Sequence, residues 1–177
     1  VPECKRPTIL YLGRLSPEKQ VDLLLRAWSQ IQPLLPEWNL QIVGDGPARQ
    51  ILERLGSGMP SVTFSGWTNQ PEAFYRESQI FVLCSQFEGF PVALLEAMSF
   101  GLPCISTRCS SAIDRLEAEG SPSTLQIVEH SSASELAAAI LEVAKVDSLR
   151  RTMSAQARKM AAKYTWEKVS PRWDALL

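Results

Sequence analysis

Residues 80–106 read IFVLCSQFEGFPVALLEAMSFGLPCIS, and the reading of this stretch decides the fold. Ile80-Phe81-Val82-Leu83 is an unbroken apolar run of strand length, the pattern of a strand covered on both faces. Ser85 to Phe90 is polar and contains a glycine, which suits a loop. Pro91 fits the first position of a helix, where its missing N–H is not needed, and that helix should run through Ser99. Gly101-Leu102-Pro103 stops it, with glycine just past the end and proline barring continuation. Cys104-Ile105-Ser106 then begins another strand. Strand, helix and strand in so short a span make a crossover unit, and the two strands are parallel.

The same alternation continues outward in both directions. Upstream, Thr8-Ile9-Leu10-Tyr11-Leu12 is a buried strand. Val21, Leu24, Leu25, Trp28 and Ile31 follow at helical spacing until Pro33 and Pro36. Leu40-Gln41-Ile42-Val43 is a strand ended by Gly44-Asp45-Gly46-Pro47, and a helix runs on to about Leu55. Val62-Thr63-Phe64-Ser65 is a third strand, and a helix from Pro71 to Glu77 leads into Ile80. Downstream, Leu125-Gln126-Ile127-Val128 is a strand, and Ser134 precedes a helix carrying Leu136, Ile140 and Val143. From about Asp147 the chain is helical, broken near Tyr164-Thr165-Trp166 and Pro171. Ser110 to Thr124 shows no clear period. Together these predict one α/β domain over residues 1–177: a Rossmann-like, doubly wound parallel sheet of about six strands with helices on both faces.

Composition narrows the function. Apolar residues make up 45% of the chain and charged residues 21%, values of an ordinary globular domain. The net charge of −1, with scattered Lys and Arg, offers no field for nucleic-acid binding. Arg150, Arg151, Arg158, Lys159 and Lys163 form the one basic stretch, to be read as a solvated helix face or as attraction to an anionic membrane surface. No run approaches the ~18 apolar residues of a membrane span. Val1-Pro2-Glu3-Cys4-Lys5 does not resemble a signal peptide. Cys4, Cys84, Cys104 and Cys109 lack metal-ligand spacing and are expected as reduced thiols. His130 is the single histidine and stands at the mouth of a strand-to-helix loop without catalytic partners in reach. Neither metal nor cofactor is expected. The expected location is the cytoplasm, free or peripheral at the inner face of a membrane.

In a doubly wound sheet, ligands bind outside the carboxyl ends of the strands. Four such ends carry glycines and polar groups: Gly13-Arg14-Leu15-Ser16-Pro17-Glu18-Lys19, Gly44-Asp45-Gly46-Pro47, Gly66-Trp67-Thr68-Asn69 and Ser85 to Pro91. Arg14 and Lys19 could neutralise a diphosphate or simply frame a helix start. Gly44-x-Gly46 lacks the third glycine of a dinucleotide fingerprint, Arg49 standing there, so nicotinamide binding is poorly supported. Trp67 could stack on a base or pack. Backbone N–H groups near Phe90 and Val92 would point at a phosphate at the helix N-terminus. Glu96 could accept from ribose hydroxyls or be a solvated helix glutamate, and Leu95 and Met98 should face the sheet.

Glu88-Gly89-Phe90-Pro91-Val92-Ala93-Leu94-Leu95-Glu96-Ala97-Met98, with Gly101-x-Pro103-x-Ile105, resembles the glutamate–seven–glutamate motif of family 4 retaining GT-B glycosyltransferases. Gly13-Arg14-Leu15 with Lys19, Gly44-Asp45-Gly46-Pro47, Val62-x-Phe64-x-Gly66 and Tyr164-Thr165-Trp166 extend the resemblance over nearly the whole chain, in family order. It implies the donor-binding, C-terminal half of a GT-B fold, taking a UDP- or GDP-linked hexose and transferring it with retention to a glycan or lipid-linked acceptor, as in polysaccharide biosynthesis. Arg14 and Lys19 would hold the diphosphate and stabilise it as it leaves. Glu88 would lie by the donor sugar, Gly89, Phe90, Pro91 and Val92 would contact sugar or phosphate, and Glu96 would bind the ribose. Gly13 and Gly44 would border the donor, and Thr68 with Gln70 would meet the base.

The sequence departs from the family at three places. Gln20 stands where glycine usually follows the lysine, Pro91 replaces a frequent glycine, and Thr107 to Ile113 lacks expected glycines. The resemblance also implies a separate N-terminal domain holding the acceptor. The helices from about Asp147 would cross toward it, exposing Trp166 and Trp173, and this chain alone would not turn over. A non-catalytic nucleotide-binding module is the alternative, and the presence together of Arg14, Lys19, Glu88 and Glu96 argues against it. An epimerase would need a catalytic histidine.

Overall fold

The computed structural model describes residues 6–129 and 132–165. Six strands form one sheet: β1 (Thr8–Leu12), β2 (Asn39–Val43), β3 (Val62–Gly66), β4 (Ile80–Leu83), β5 (Cys104–Thr107) and β6 (Gln126–Val128). All pairings are parallel and the order is β3-β2-β1-β4-β5-β6. The helices between and after them are α1 (Val21–Ile31), α2 (Arg49–Gly56), α3 (Pro71–Glu77), α4 (Val92–Ser99), α5 (Ser111–Glu119), α6 (Ala133–Lys145) and α7 (Asp147–Ala161). This is the expected Rossmann-like arrangement.

Alternation along each strand divides the core into two layers. Ile9 and Tyr11 of β1 and Ile80 and Val82 of β4 face α1 and α6 on one side. Leu10, Phe81 and Leu83 face the other side, against Leu94 and Met98 of α4 and Ala157 and Met160 of α7. Trp28 is fully buried, and its indole N–H donates to the Ser61 hydroxyl at 3.1 Å. α7 lies against α4 and α6 within this domain. Trp166, Trp173 and His130 lie outside the described residues.

Two local expectations are corrected. The stretch from Ser110 to Thr124 contains α5, whose core side contributes only Ile113 and Leu116, too few to set a period. The Arg108 guanidinium, on the loop just ahead of it, donates to Asp114 and Glu117 on α5 and to Glu129 after β6. Pro91 is not the first helical residue. It sits ahead of α4 at φ −81°, ψ 75°, and the helix starts at Val92.

Gln20 adopts φ 48°, in the left-handed region that glycine occupies without strain. A glutamine there carries about 1–2 kcal/mol of backbone strain, so the turn is kept at a cost.

Candidate functional site

Connections leave β1 toward β2 on one side and β4 toward β5 on the other, so strand order reverses between these neighbours. A crevice opens outside their carboxyl ends. The loops flanking it are laced together through backbone carbonyls that accept N–H, thiol and hydroxyl donors. Gln86 N–H donates to the Glu18 carbonyl at 2.8 Å, and Glu88 N–H to the Cys109 carbonyl at 3.0 Å. The Cys84 thiol donates to the Lys19 carbonyl at 3.2 Å, and the Thr107 hydroxyl to the Ser85 carbonyl at 2.6 Å. This lacing brings Lys19 Nζ to 2.7 Å from Glu88 Oε1, which also accepts the Ser85 hydroxyl at 2.7 Å. The two side chains are only 22% and 13% exposed, so their charges are weakly screened.

Two chambers make up the crevice. One, of about 440 Å³, is walled by Tyr11, Arg14, Lys19, Glu88, Phe90 and Val92, with Gly13 and Pro91 also at its wall. The other, of about 430 Å³, is walled by Gly44, Asp45, Trp67, Thr68 and Pro71. Gly13 and Arg14 belong to both, so the chambers are halves of one cleft. The Tyr11 hydroxyl donates to the Arg14 carbonyl at 3.0 Å, and burial pushes that phenol far up, with the Cys84, Glu88 and Glu18 fields adding to it. Tyr11 is therefore a fixed neutral donor that holds the Arg14 backbone. The Arg14 side chain is exposed and has no hydrogen bond or ion pair among the described residues. The hydrogen bond from Ser16, then one from the Glu18 backbone, and last the fields of Lys19 and Arg14 hold the Glu18 carboxyl below its ordinary range.

The glycines of the second loop serve close approach between chains of the sheet. Gly44 has φ 141° and Gly46 φ 157°, and a Cβ on either would collide with a backbone carbonyl, that of Gly13 or of Leu15. Trp67 is 73% exposed and borders the second chamber beside Thr68. Thr68 accepts the Gln70 N–H through its hydroxyl at 3.0 Å, while Gln70 itself lies off the cleft wall.

Three expectations about α4 are revised. Val92 N–H is taken by the Phe90 carbonyl at 2.9 Å in a tight turn over Pro91, so it is not a donor to a ligand. The N–H groups of Gly89, Phe90 and Ala93 have no partner among the described residues. Leu94, Ala97 and Met98 enter the core, and Leu95 is only half-buried. Glu96 lies one turn beyond Ala93, outside both chamber walls, and its carboxylate accepts the Tyr75 hydroxyl at 2.9 Å. Burial, then this bond, pushes the Tyr75 phenol far up, so it stays a donor. Tyr75, Ser85 and Tyr11 were not singled out from sequence. Each reads there as a core or loop residue, and only its hydroxyl partner reveals the role.

Cys84, Cys104 and Cys109 are buried free thiols, and burial raises each one. Among the described residues no cluster of His, Cys, Asp or Glu could hold a metal ion, and no helix is long and apolar enough to cross a membrane.

Fold and site together define a doubly wound α/β domain with a cleft lined by charges of both signs at the reversal of strand order. A family model for the glycosyl transferases group 1 matches residues 6–145, and the chain belongs to that family. It is 33% identical over 173 residues to an uncharacterized glycosyltransferase of Haemophilus influenzae, covering 96% of this chain and 48% of that protein. The chain thus spans about half the length of that relative. A point mutant of S. aureus TarM, solved with UDP, fondaparinux and α-GlcNAc-glycerol, superposes with a TM-score of 0.89 at 20% identity, over 97% of this chain and 35% of that one. The C-terminal domain of LpcC, a group 1 glycosyl transferase of Francisella tularensis, superposes with a TM-score of 0.80 at 21% identity, over 89% of this chain and 85% of that one. At these identities the likeness establishes the shared fold, that of one half of a GT-B glycosyltransferase.

Proposed function

We propose that this chain is the donor-binding domain of a family 4 retaining glycosyltransferase, holding a UDP- or GDP-hexose whose sugar passes to a glycan or lipid-linked acceptor. The observation that carries the reading is the Lys19–Glu88 pair at the strand-order reversal, flanked by the free Arg14 guanidinium and the open N–H groups of Gly89, Phe90 and Ala93. Such an array suits a diphosphate. Lys19 and Arg14 would stabilise the negative charge that grows on it as the sugar leaves, and being fixed beforehand they need no reorganisation at that moment. Glu88, oriented by Lys19 and Ser85, would border the donor sugar. The base would enter the second chamber, against Trp67 and Thr68. The acceptor would be held by an N-terminal domain of the same enzyme, and the chain alone would not turn over. Phe87 (63% exposed), Phe90 (49%) and Val92 (58%), apolar residues in and beside the Glu88 loop, support its closure against such a partner. A purely binding module is the weaker reading, because Lys19 and Glu88 are held together by lacing from three loops.

Calorimetry and amide spectra with UDP, GDP, ADP and their sugars test this. At least one nucleotide should bind, shift the amides of Thr68, Gly89, Phe90 and Ala93, and bind more weakly as salt rises. If none does, the donor reading fails.

The ribose assignment has its own test. Glu96→Ala should weaken the bound nucleotide about ten- to a hundredfold, the range of a lost charge-assisted hydrogen bond of roughly 1.5–3 kcal/mol, with little change in melting temperature. Tyr75→Phe should weaken it severalfold by releasing the carboxylate. A 2′,3′-dideoxy nucleotide should be indifferent to both changes. Equal losses with the dideoxy ligand would make both effects structural and return Glu96 to the solvated class.

A further inference from the structure

At the opposite, amino-terminal edge of the sheet lies a larger groove, of about 950 Å³, that the donor cleft does not reach. Ser78 and Gln79 precede β4 and Pro103 precedes β5, and both border it. With β4 four residues long, it opens about 13 Å from the cleft, at ~3.3 Å per strand residue. Arg76, Arg150, Arg151 and Arg158 line it, and none of its lining residues is acidic. The chain as a whole carries −1, so this field is local.

The four arginines are not equivalent. Arg150 donates to the carbonyls of Val143 and Ala144, pairs with Asp147 and lies over the Trp38 ring, which makes it a clamp between α6 and α7. Arg151 also pairs with Asp147, at 2.7 Å, and is largely exposed. Arg76 and Arg158 have no carboxylate partner among the described residues, yet both are positioned. The Arg76 guanidinium sits 5.1 Å above the Phe100 ring. The Arg158 guanidinium lies directly on Gly101, at φ 78°, where a Cβ would collide with it. Two preorganised, uncompensated guanidinium forks facing one groove match the oxygens of a phosphate group. The basic stretch noted in the sequence therefore splits: its Arg150, Arg151 and Arg158 line the groove, while Lys163 reaches away to the Glu119 carbonyl.

We infer that this groove is a second anion site, which takes a phosphate group through Arg76 and Arg158. The phosphate is either a free one or the headgroup of an anionic lipid. The site is separate from the donor cleft, and its assignment does not depend on what that cleft binds.

The test uses inorganic pyrophosphate in one arm and, in the other, phosphatidylcholine vesicles with and without phosphatidylglycerol. Amides of Arg76, Ser99 to Leu102 and Ser154 to Arg158 are followed, which keeps the groove distinct from Lys19 and the cleft. A free phosphate predicts saturable shifts there with pyrophosphate. A lipid headgroup predicts cosedimentation with the phosphatidylglycerol vesicles alone. In either arm Arg76→Glu, and separately Arg158→Gln, should weaken binding at least about tenfold, since each removes one fork of a charge-assisted pair. Arg76 is exposed and touches only a ring face, so its variant should fold as the parent does. Binding in neither arm, or binding that survives Arg76→Glu unchanged, overturns the inference.

Discussion

Replacing Lys19 by alanine is expected to lower glycosyl transfer by the parent enzyme about a hundred- to a thousandfold, the usual effect of removing one fixed donor from a developing anion. Lys19 is set by its carbonyl, which accepts the Cys84 thiol, and by its ammonium, which lies 2.7 Å from Glu88. Without it, Glu88 keeps the Ser85 hydroxyl but loses its counter-charge, and an unbalanced carboxylate then faces the incoming diphosphate. Ground-state binding and rate should both suffer, and the rate more, because the charge to be stabilised is greater in the transition state. Arg14 lines the same chamber but makes no ion pair with Glu88, so it does not replace that counter-charge. Steady-state kinetics of the Lys19→Ala parent enzyme decide the matter. A kcat/KM within about threefold of the unmodified enzyme, a change of well under 1 kcal/mol, would remove Lys19 from the catalytic machinery.

Gly44→Ala should destabilise the domain by at least about 3 kcal/mol and abolish the cleft with it. Gly44 combines φ 141° with backbone neighbours on both sides. Its N–H donates to the Gly66 carbonyl at 2.7 Å, while Gly13 N–H donates to the Val43 carbonyl at 3.0 Å. A methyl group would meet the Gly13 carbonyl oxygen, which is backbone at the end of β1 and cannot step aside without breaking that ladder. Gly89→Ala is the contrast, because a Cβ there meets nothing within 4 Å, and its stability should stay within about 0.5 kcal/mol of the parent. Urea unfolding of the two variants measures both. A Gly44→Ala midpoint matching that of Gly89→Ala would show that the loops are not locked as described.

The two changes differ in what they leave behind. Lys19→Ala keeps the lacing among the first, fourth and fifth strand ends, which runs through backbone carbonyls, and removes one charge from it. Gly44→Ala instead breaks the close packing of the second strand end against the first and third, at Gly13 and Gly66. A folded, inactive Lys19 variant beside an unstable Gly44 variant would separate the chemistry of the cleft from its construction.

Residue pattern alone determined the elements of this protein. Buried strands at Thr8–Leu12 and Ile80–Leu83, the stripe of α1 and the Gly101-Leu102-Pro103 stop are all local signals, and each appears where expected. The glycine- and cation-bearing strand ends were likewise legible, because a doubly wound sheet must present its carboxyl ends to a ligand. Tertiary structure alone decided which of those residues meet. Lys19 and Glu88 are 69 positions apart and Tyr75 and Glu96 are 21 apart, separations at which no local period carries information. The same holds for Arg108 and Glu129, 21 apart. It holds also for the groove, where Arg76 of α3 joins Arg158 of α7. Hydrophobic period and turn chemistry act between near neighbours and so can be read along the chain, whereas ion pairs, hydroxyl partners and grooves exist only after the sheet order β3-β2-β1-β4-β5-β6 has folded distant segments against each other.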